Sequence, residues 1–218
     1  MSPGPSEIDG RKFAEIRRRT IRPLPGLISS MGLTSMQRWR VPIFPFDKAI
    51  AKVIAHRSTP TIQRTFRWTT LLADEKILSG LAIGAWLLAR GGTRQQQAET
   101  GHIARVVLVT SAVPHMLKHF LAQERPDRLE TGRKRHGIKE SGKAFDAFPS
   151  GHAVHMGALA AAIARTRPRY AAFAWSGGAL IALTRIALLA HWTSDVLAGG
   201  AVGLAIESML HSLSRDEG

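Results

Sequence analysis

Apolar stretches in the second half of this chain are bordered by three short clusters of polar residues. The clusters read Lys118-x6-Arg125-Pro126, then Pro149-Ser150-Gly151-His152, then Arg185-x5-His191-x3-Asp195. Charged side chains are costly in an apolar environment unless they are paired or functional. Charges repeated at the borders of apolar stretches therefore predict a bundle that gathers them into one polar site.

The rest of the sequence predicts helices. Blocks rich in Ala, Leu, Ile and Gly cover 66–90, 102–123, 151–165, 169–185 and 190–212, and no stretch shows convincing strand alternation. We therefore predict an all-α fold, a polytopic membrane bundle of about five to six helices with the active site at one end. Residues 1–60 form a basic N-terminal arm with a short amphipathic helix at 42–55, and residues 61–214 form the helical catalytic domain.

Hydropathy leaves a soluble bundle open as an alternative to a membrane protein. A spanning helix needs about 20 mainly apolar residues. The clean apolar runs here, 77–89, 170–183 and 196–206, are shorter and reach that length only by including polar residues. Polar groups inside a bilayer usually face the bundle interior and mark function, and the many glycines suit close helix packing in lipid. These features favour an integral membrane protein.

The net charge of +14 indicates an anionic partner. Aromatic residues make up only 6% of the chain and no nucleic-acid-binding motif occurs, so we expect no nucleic acid and favour anionic membrane lipids. Thirteen Lys and Arg residues lie within 1–67, where they form either a solvated arm or an anchor to lipid headgroups. No cleavable signal peptide is evident, and the absence of cysteine excludes thiol catalysis and cysteine-ligated zinc.

The third cluster has the composition of an activated nucleophile. His191 and Asp195 are four residues apart, so on a helix they share one face. A carboxylate there can accept from one imidazole nitrogen and leave the other as the nucleophile. Arg185 ends the preceding apolar block and can be turned towards the same point.

The other two clusters supply anion-binding groups and a proton donor. Ser150 is a candidate N-cap, and free N–H groups at a helix start form an anion site. His152 in that first turn can protonate a departing oxygen. Arg125 can grip a phosphate with two hydrogen bonds, while Lys118 adds a point charge.

Alternating helix directions place all three clusters at one end of the bundle. Arg165, Arg167 and Arg169 then fall at the opposite end with Arg90 and Arg94. By the positive-inside rule that opposite end is cytoplasmic, which puts the site on the exterior, periplasmic face of a bacterial inner membrane. The loop on the site side is also basic, at 128–143, which weakens this assignment.

The three motifs together resemble those of the type 2 phosphatidic acid phosphatase (PAP2) family, which shares its site with the vanadium haloperoxidases. The family pattern is Lys-x6-Arg-Pro, Pro-Ser-Gly-His and Ser-Arg-x5-His-x3-Asp, and this chain departs from it only at Thr184, which replaces the serine. The resemblance spans about residues 100–212 and places the chain in the membrane lipid-phosphatase branch.

The resemblance implies a role for each matching residue. His191 attacks phosphorus to form a phosphohistidine, Asp195 orients His191, and His152 protonates the leaving group and later activates water. The remaining matches bind the phosphoryl oxygens: Lys118, Arg125, Ser150, the Gly151 N–H and Arg185. The family needs no metal or other cofactor, so we expect none.

The sequence thus predicts a membrane phosphatase that hydrolyses a lipid phosphomonoester or diphosphate. Candidate substrates are polyprenyl diphosphate, phosphatidic acid, phosphatidylglycerol phosphate and a lipid A phosphate. A soluble acid phosphatase or a vanadate-dependent haloperoxidase remains an alternative, as does a non-catalytic protein that binds anionic lipid. We interpret the remaining histidines as structural, although His155 lies one turn beyond His152, and Trp192 fits either an interfacial anchor or a pocket wall.

Overall fold

A computed structural model describes residues 38–129 and 137–216. The first 37 residues of the predicted basic arm lie outside the described part. The helices are α1 Pro45–Arg57, α2 Pro60–Thr70, α3 Glu75–Leu88, α4 Arg94–Phe120, α5 Pro126–Leu129, α6 Gly151–Thr166, α7 Ala171–Ala187 and α8 Thr193–Asp216. Short 3-10 helices cover Leu71–Ala73, Ala89–Gly91 and Pro168–Tyr170, and strands β1 Trp39–Arg40 and β2 Leu121–Ala122 pair in parallel. The all-α prediction is confirmed.

Capping residues explain where the helices differ from the predicted blocks. The predicted 66–90 block is broken between α2 and α3, because Asp74 accepts hydrogen bonds from the N–H groups of Lys76 and Ile77 and starts a new helix there. Helix α4 begins eight residues before the predicted 102, since Thr93 and Gln96 form a reciprocal capping box. Periodicity does not reveal either helix start, whereas the side-chain caps do.

Helix α6 is the central element of the bundle and packs most extensively against α8, then α7 and α4. Its close approach to α8 requires glycine. A Cβ at Gly199 would lie 2.7 Å from the carbonyl oxygen of Ser150, and one at Gly203 would overlap the carbonyl of Val154. The start of α6 is therefore pressed against the first turns of α8, which brings the second and third motifs together.

The predicted amphipathic helix at 42–55 is α1, and it contacts the bundle. The buried carboxylate of Asp47 accepts hydrogen bonds from the backbone N–H of Ser194 at 2.9 Å and from its hydroxyl at 2.7 Å. Asp47 thus caps the start of α8. Helix α1 belongs to the compact unit that begins at Arg38.

The outer surface of the bundle carries large apolar side chains. Examples from four helices are Leu81, Leu88, Leu108, Phe173, Leu180, Leu197 and Met209, all of them exposed. Within the described residues, one helix is long and apolar enough to span a bilayer unaided, at Thr193–Ser214 with a mean hydropathy of 1.4. An apolar surface on several helices is what lipid contact requires.

Candidate active site

Helix ends bring the three motifs to one end of the bundle. Lys118 lies in the last turn of α4, and Arg185 lies in the last turn of α7. Helix α6 begins at Gly151, and the segment between α7 and α8 carries His191. A cavity of about 210 Å³ lies among them, and six of the eight predicted site residues line it, namely Lys118, Arg125, Gly151, His152, Arg185 and His191. Ser150 and Asp195 are fully buried behind that lining.

The two ring nitrogens of His191 have different partners. The imidazole is 3% exposed, and Nδ1–H donates to the carbonyl oxygen of Ala147 at 2.6 Å. Nε2 must then be the acceptor nitrogen, and it lies 3.3 Å from Nη1 of Arg125. Burial lowers the pKa of His191 well below its usual value, and the nearby Arg125, Arg185 and Lys118 charges lower it further. A neutral ring with an unprotonated Nε2 at the cavity is a competent nucleophile.

Asp195 does not make the short hydrogen bond to His191 that the four-residue spacing suggests. Its Oδ2 lies 3.7 Å from Nδ1 of His191 and accepts instead from the backbone N–H of Trp192 at 2.9 Å. His191 precedes α8, which starts at Thr193, so the helical spacing rule does not apply to this pair. The Ala147 carbonyl therefore fixes the imidazole tautomer, and Asp195 supplies a carboxylate next to the ring.

The guanidinium of Arg125 is held by the protein rather than left open for two substrate bonds. It donates to the carbonyl oxygens of Lys143 at 3.0 Å, Ala190 at 2.8 Å and Asp146 at 3.1 Å, and to Ser141 Oγ at 3.2 Å. Burial lowers the pKa of Arg125 below its usual value. With five N–H donors in all, the group keeps about one, on Nη2, for a substrate oxygen, which differs from the predicted grip with two bonds.

Lys118 and Arg185 are the cations with unused donors. Arg185 makes one side-chain hydrogen bond, from Nη1 to Thr70 Oγ1 at 3.3 Å, and its Nε has no partner among the described residues. Lys118 makes no hydrogen bond to any described residue and is half-buried at the cavity. Half-buried cations without a carboxylate partner among the described residues are arranged to bind an anion.

The start of α6 adds backbone donors and an imidazole. Ser150 occupies the N-cap position, but its side chain makes no capping bond, and its buried Oγ has no partner in the described part of the chain. The first N–H groups of any helix lack intrahelical acceptors, and Gly151 carries one of them to the cavity wall. His152 is half-buried at the same wall.

Five polar residues that line the cavity were not predicted as site residues: Asp74, Glu75, Ser111, His115 and His155. His155 Nδ1 donates to the Gly151 carbonyl at 2.8 Å, and its Nε2 lies 3.1 Å from Ser111 Oγ. The three-residue spacing from His152 signals that His155 shares its helix face. Asp74 and Glu75 join the site through the break between α2 and α3, which the sequence did not predict.

Thr184 and Trp192, which the sequence left undecided, are structural. Thr184 Oγ1 donates to the carbonyl of Ile181 in its own helix. Trp192 is 1% exposed in an apolar cluster with Leu189, and its Nε1–H donates to the Glu124 carbonyl at 2.7 Å. Neither side chain lines the cavity, and Trp192 anchors the segment that carries His191.

Within the described residues, one group of side chains has the spacing of a metal site, and it is remote from the cavity. Ligand atoms of His102, Glu207 and His211 all lie within 4.8 Å of one another. Both oxygens of Glu207 already accept from Arg165, at 3.0 and 3.1 Å. A cation already neutralises this carboxylate, so the group is better explained as an ion pair between the exposed Arg165 and the buried Glu207 that joins α6 to α8.

Known proteins with similar sequences are phosphatases. The sequence profile of the PAP2 superfamily matches residues 100–217, more than half of the chain. A lipid A 1-phosphatase of Rhizobium johnstonii is 28% identical over 150 residues, which cover 59% of this chain and 62% of that protein. A lipid A 1-phosphatase of Rhizobium etli is 26% identical over 188 residues, which cover 76% of this chain and 81% of that protein. The chain thus spans less than two thirds of the first relative.

Solved structures share the fold at low sequence identity. The crystal structure of Aquifex aeolicus LpxE aligns with a TM-score of 0.65 and 17% identity, over 80% of this chain and 99% of that one. A transmembrane PAP2-type phosphatidylglycerolphosphate phosphatase of Bacillus subtilis aligns with a TM-score of 0.56 and 17% identity, over 78% and 85% of the two chains. The chain therefore shares its helical fold with these two proteins.

Proposed function

Because this chain belongs to the PAP2 superfamily, we propose that it is an integral membrane phosphatase that hydrolyses the phosphate ester or diphosphate of a lipid. The observation that carries the proposal is the unprotonated Nε2 of His191 at a cavity lined by three cations. The relatives named lipid A 1-phosphatases make a lipid A 1-phosphate the first substrate to test. Polyprenyl diphosphate, phosphatidic acid and phosphatidylglycerol phosphate follow.

Catalysis proceeds in two displacements at phosphorus. Nε2 of His191 attacks the phosphorus atom while the bond to the leaving oxygen breaks, and His152 gives that oxygen its proton. Lys118, Arg185 and the remaining N–H of Arg125 stabilise the equatorial oxygens, together with amides at the start of α6. The ring becomes positive in the phosphohistidine, where the Ala147 carbonyl at 2.6 Å and the Asp195 carboxylate at 3.7 Å stabilise it.

The second displacement reverses the proton transfer. His152 takes a proton from water, the oxygen attacks phosphorus, and the P–N bond to His191 breaks to release phosphate. No step requires a metal ion. The anion is neutralised by fixed cations, and Ser150, whose Oγ has no partner among the described residues, is close to the phosphate site as a further hydroxyl donor.

Phosphate release from a lipid panel tests activity, substrate and metal independence together. The purified protein should release phosphate from at least one of the four lipid classes in EDTA, and millimolar vanadate should inhibit it by mimicking five-coordinate phosphorus. Absence of release from every lipid would refute the proposal. Activity that EDTA removes and a divalent metal restores would refute the metal-free mechanism, and halide oxidation after vanadate loading would indicate the haloperoxidase alternative.

The active site faces the exterior side of the membrane in this proposal. The chain has no cysteine, so single cysteines can report on each end of the bundle. Lys139→Cys, exposed in the loop beside the cavity, should react with a membrane-impermeant maleimide in intact spheroplasts, whereas Gln95→Cys, exposed at the start of α4, should react only after lysis. The reverse labelling pattern would place the site in the cytoplasm.

A further inference from the structure

A second, apolar cleft opens between α3 and α7, with α6 as its floor. Its volume is about 180 Å³, and every residue that lines it is apolar or glycine. Two exposed side chains flank it, Leu72 at 61% and Phe173 at 79%. A cleft without polar side chains cannot offset the desolvation of a charged ligand, so its composition suits a hydrocarbon ligand.

The face of α6 that lines this cleft also reaches the active-site cavity. His152 lines the cavity, and Met156, Leu159 and Ile163 line the cleft. Successive members are four, three and four residues apart, which is the spacing of one helix face. The apolar stripe therefore begins directly at His152 and runs about 16 Å along the helix at 1.5 Å per residue.

The other two walls also begin at cavity residues. On α7, Arg185 lines the cavity, and Ile181, Gly178 and Ala174 line the cleft at steps of four, three and four. Leu72 lines the cleft next to Ala73, which lines the cavity. Three independent segments thus pass from a phosphate-binding end to an apolar groove.

We propose that this cleft binds a hydrocarbon chain of the lipid whose phosphate group occupies the cavity. The inference rests on the proposed phosphatase function and adds the position of the lipid tail. A Cβ at Gly177 would meet no atom within 4 Å, so the cleft is open at its middle, where a chain would pass.

A larger apolar groove of about 330 Å³ between α7 and α8 shares Met156 and Gly178 with the cleft, but its remaining wall is α8, and no residue of α8 lines the cavity. Besides Met156, it reaches α6 at Ala153 and Gly157, and Ala153 is turned about 100° around the helix from His152. A Cβ at Gly200 in this groove would likewise meet no atom within 4 Å, which makes Gly200 a matched control for Gly177.

The test compares two alkyl phosphates as competitors of p-nitrophenyl phosphate hydrolysis in lipid nanodiscs. Hexadecyl phosphate should bind the wild type and Gly200→Phe at least about tenfold more tightly than hexyl phosphate. Gly177→Phe should reduce that advantage to about twofold while its turnover of p-nitrophenyl phosphate stays at the wild-type level. Gly177→Leu repeats the measurement with a smaller side chain if the phenylalanine variant does not fold.

Each outcome separates the two proposals. A wild type that releases phosphate from neither p-nitrophenyl phosphate nor any lipid of the panel contradicts the phosphatase function itself. If only a lipid is hydrolysed, that lipid replaces p-nitrophenyl phosphate as the substrate of the competition experiment. If the protein hydrolyses the substrate but binds hexadecyl phosphate no more tightly than hexyl phosphate, the cleft proposal is wrong and the phosphatase function stands. The same holds if the tighter binding of hexadecyl phosphate persists in both Gly177 variants. Loss of the advantage in Gly200→Phe only would place the chain between α7 and α8 and also overturn it.

Discussion

Replacing His191 with asparagine should lower phosphate release by about 10⁴-fold or more, because the reaction loses its nucleophile. The asparagine side-chain amide can still donate to the Ala147 carbonyl, which now accepts Nδ1–H at 2.6 Å. The variant therefore removes Nε2 while it keeps the hydrogen bond that holds this segment. Release of phosphate from the best lipid of the panel, measured beside the thermal unfolding temperature, gives the result.

His56→Ala is the matched control, since this histidine is exposed on α1 and does not line the cavity. It should retain wild-type activity. A His191→Asn protein that unfolds at the wild-type temperature and keeps more than about a hundredth of the activity would rule out nucleophilic attack by His191.

Replacing His152 with alanine should slow hydrolysis of an alkyl lipid phosphate by about 10²- to 10⁴-fold, the usual contribution of general acid–base catalysis. The size of the loss should depend on the leaving group. p-Nitrophenolate leaves without protonation, so the first displacement should survive with p-nitrophenyl phosphate. The second displacement still needs His152 to activate water.

His152→Ala should therefore release one equivalent of p-nitrophenol in a burst and then stall as the phosphohistidine. Rapid-quench measurement of the burst, together with acid-labile and base-stable phosphate on the protein, checks this. The exposed His119, outside the cavity lining, provides the control, and His119→Ala should show no burst and no stall. If the hydrolysis rates of alkyl and aryl esters fall equally and no phosphoenzyme accumulates, His152 takes part in neither proton transfer.

Motif and periodicity in the sequence were sufficient for the fold class and for six of the residues that line the cavity. The helical blocks appear at nearly their predicted positions because Ala, Leu and Gly patterning is local information. The short helix predicted at 42–55 is present as α1. The contact of α1 with the start of α8 was not predicted, because the buried hydrogen bond between Asp47 and Ser194 joins residues 147 positions apart. The start of α4 at Arg94 and the break at Asp74 depend on caps that hydropathy does not register.

The sequence by itself determined the chemical groups of the three spaced motifs: three cations, two imidazoles, a carboxylate and a hydroxyl. Only the tertiary structure decided which of these groups are held by hydrogen bonds within the protein and which have donors left for a ligand. Backbone carbonyls of residues distant in sequence occupy most donors of Arg125 and fix the tautomer of His191, which leaves Lys118 and Arg185 open and Asp195 at 3.7 Å. The positions of these backbone carbonyl groups depend on how loops and helix ends pack, and a side-chain motif does not specify that packing.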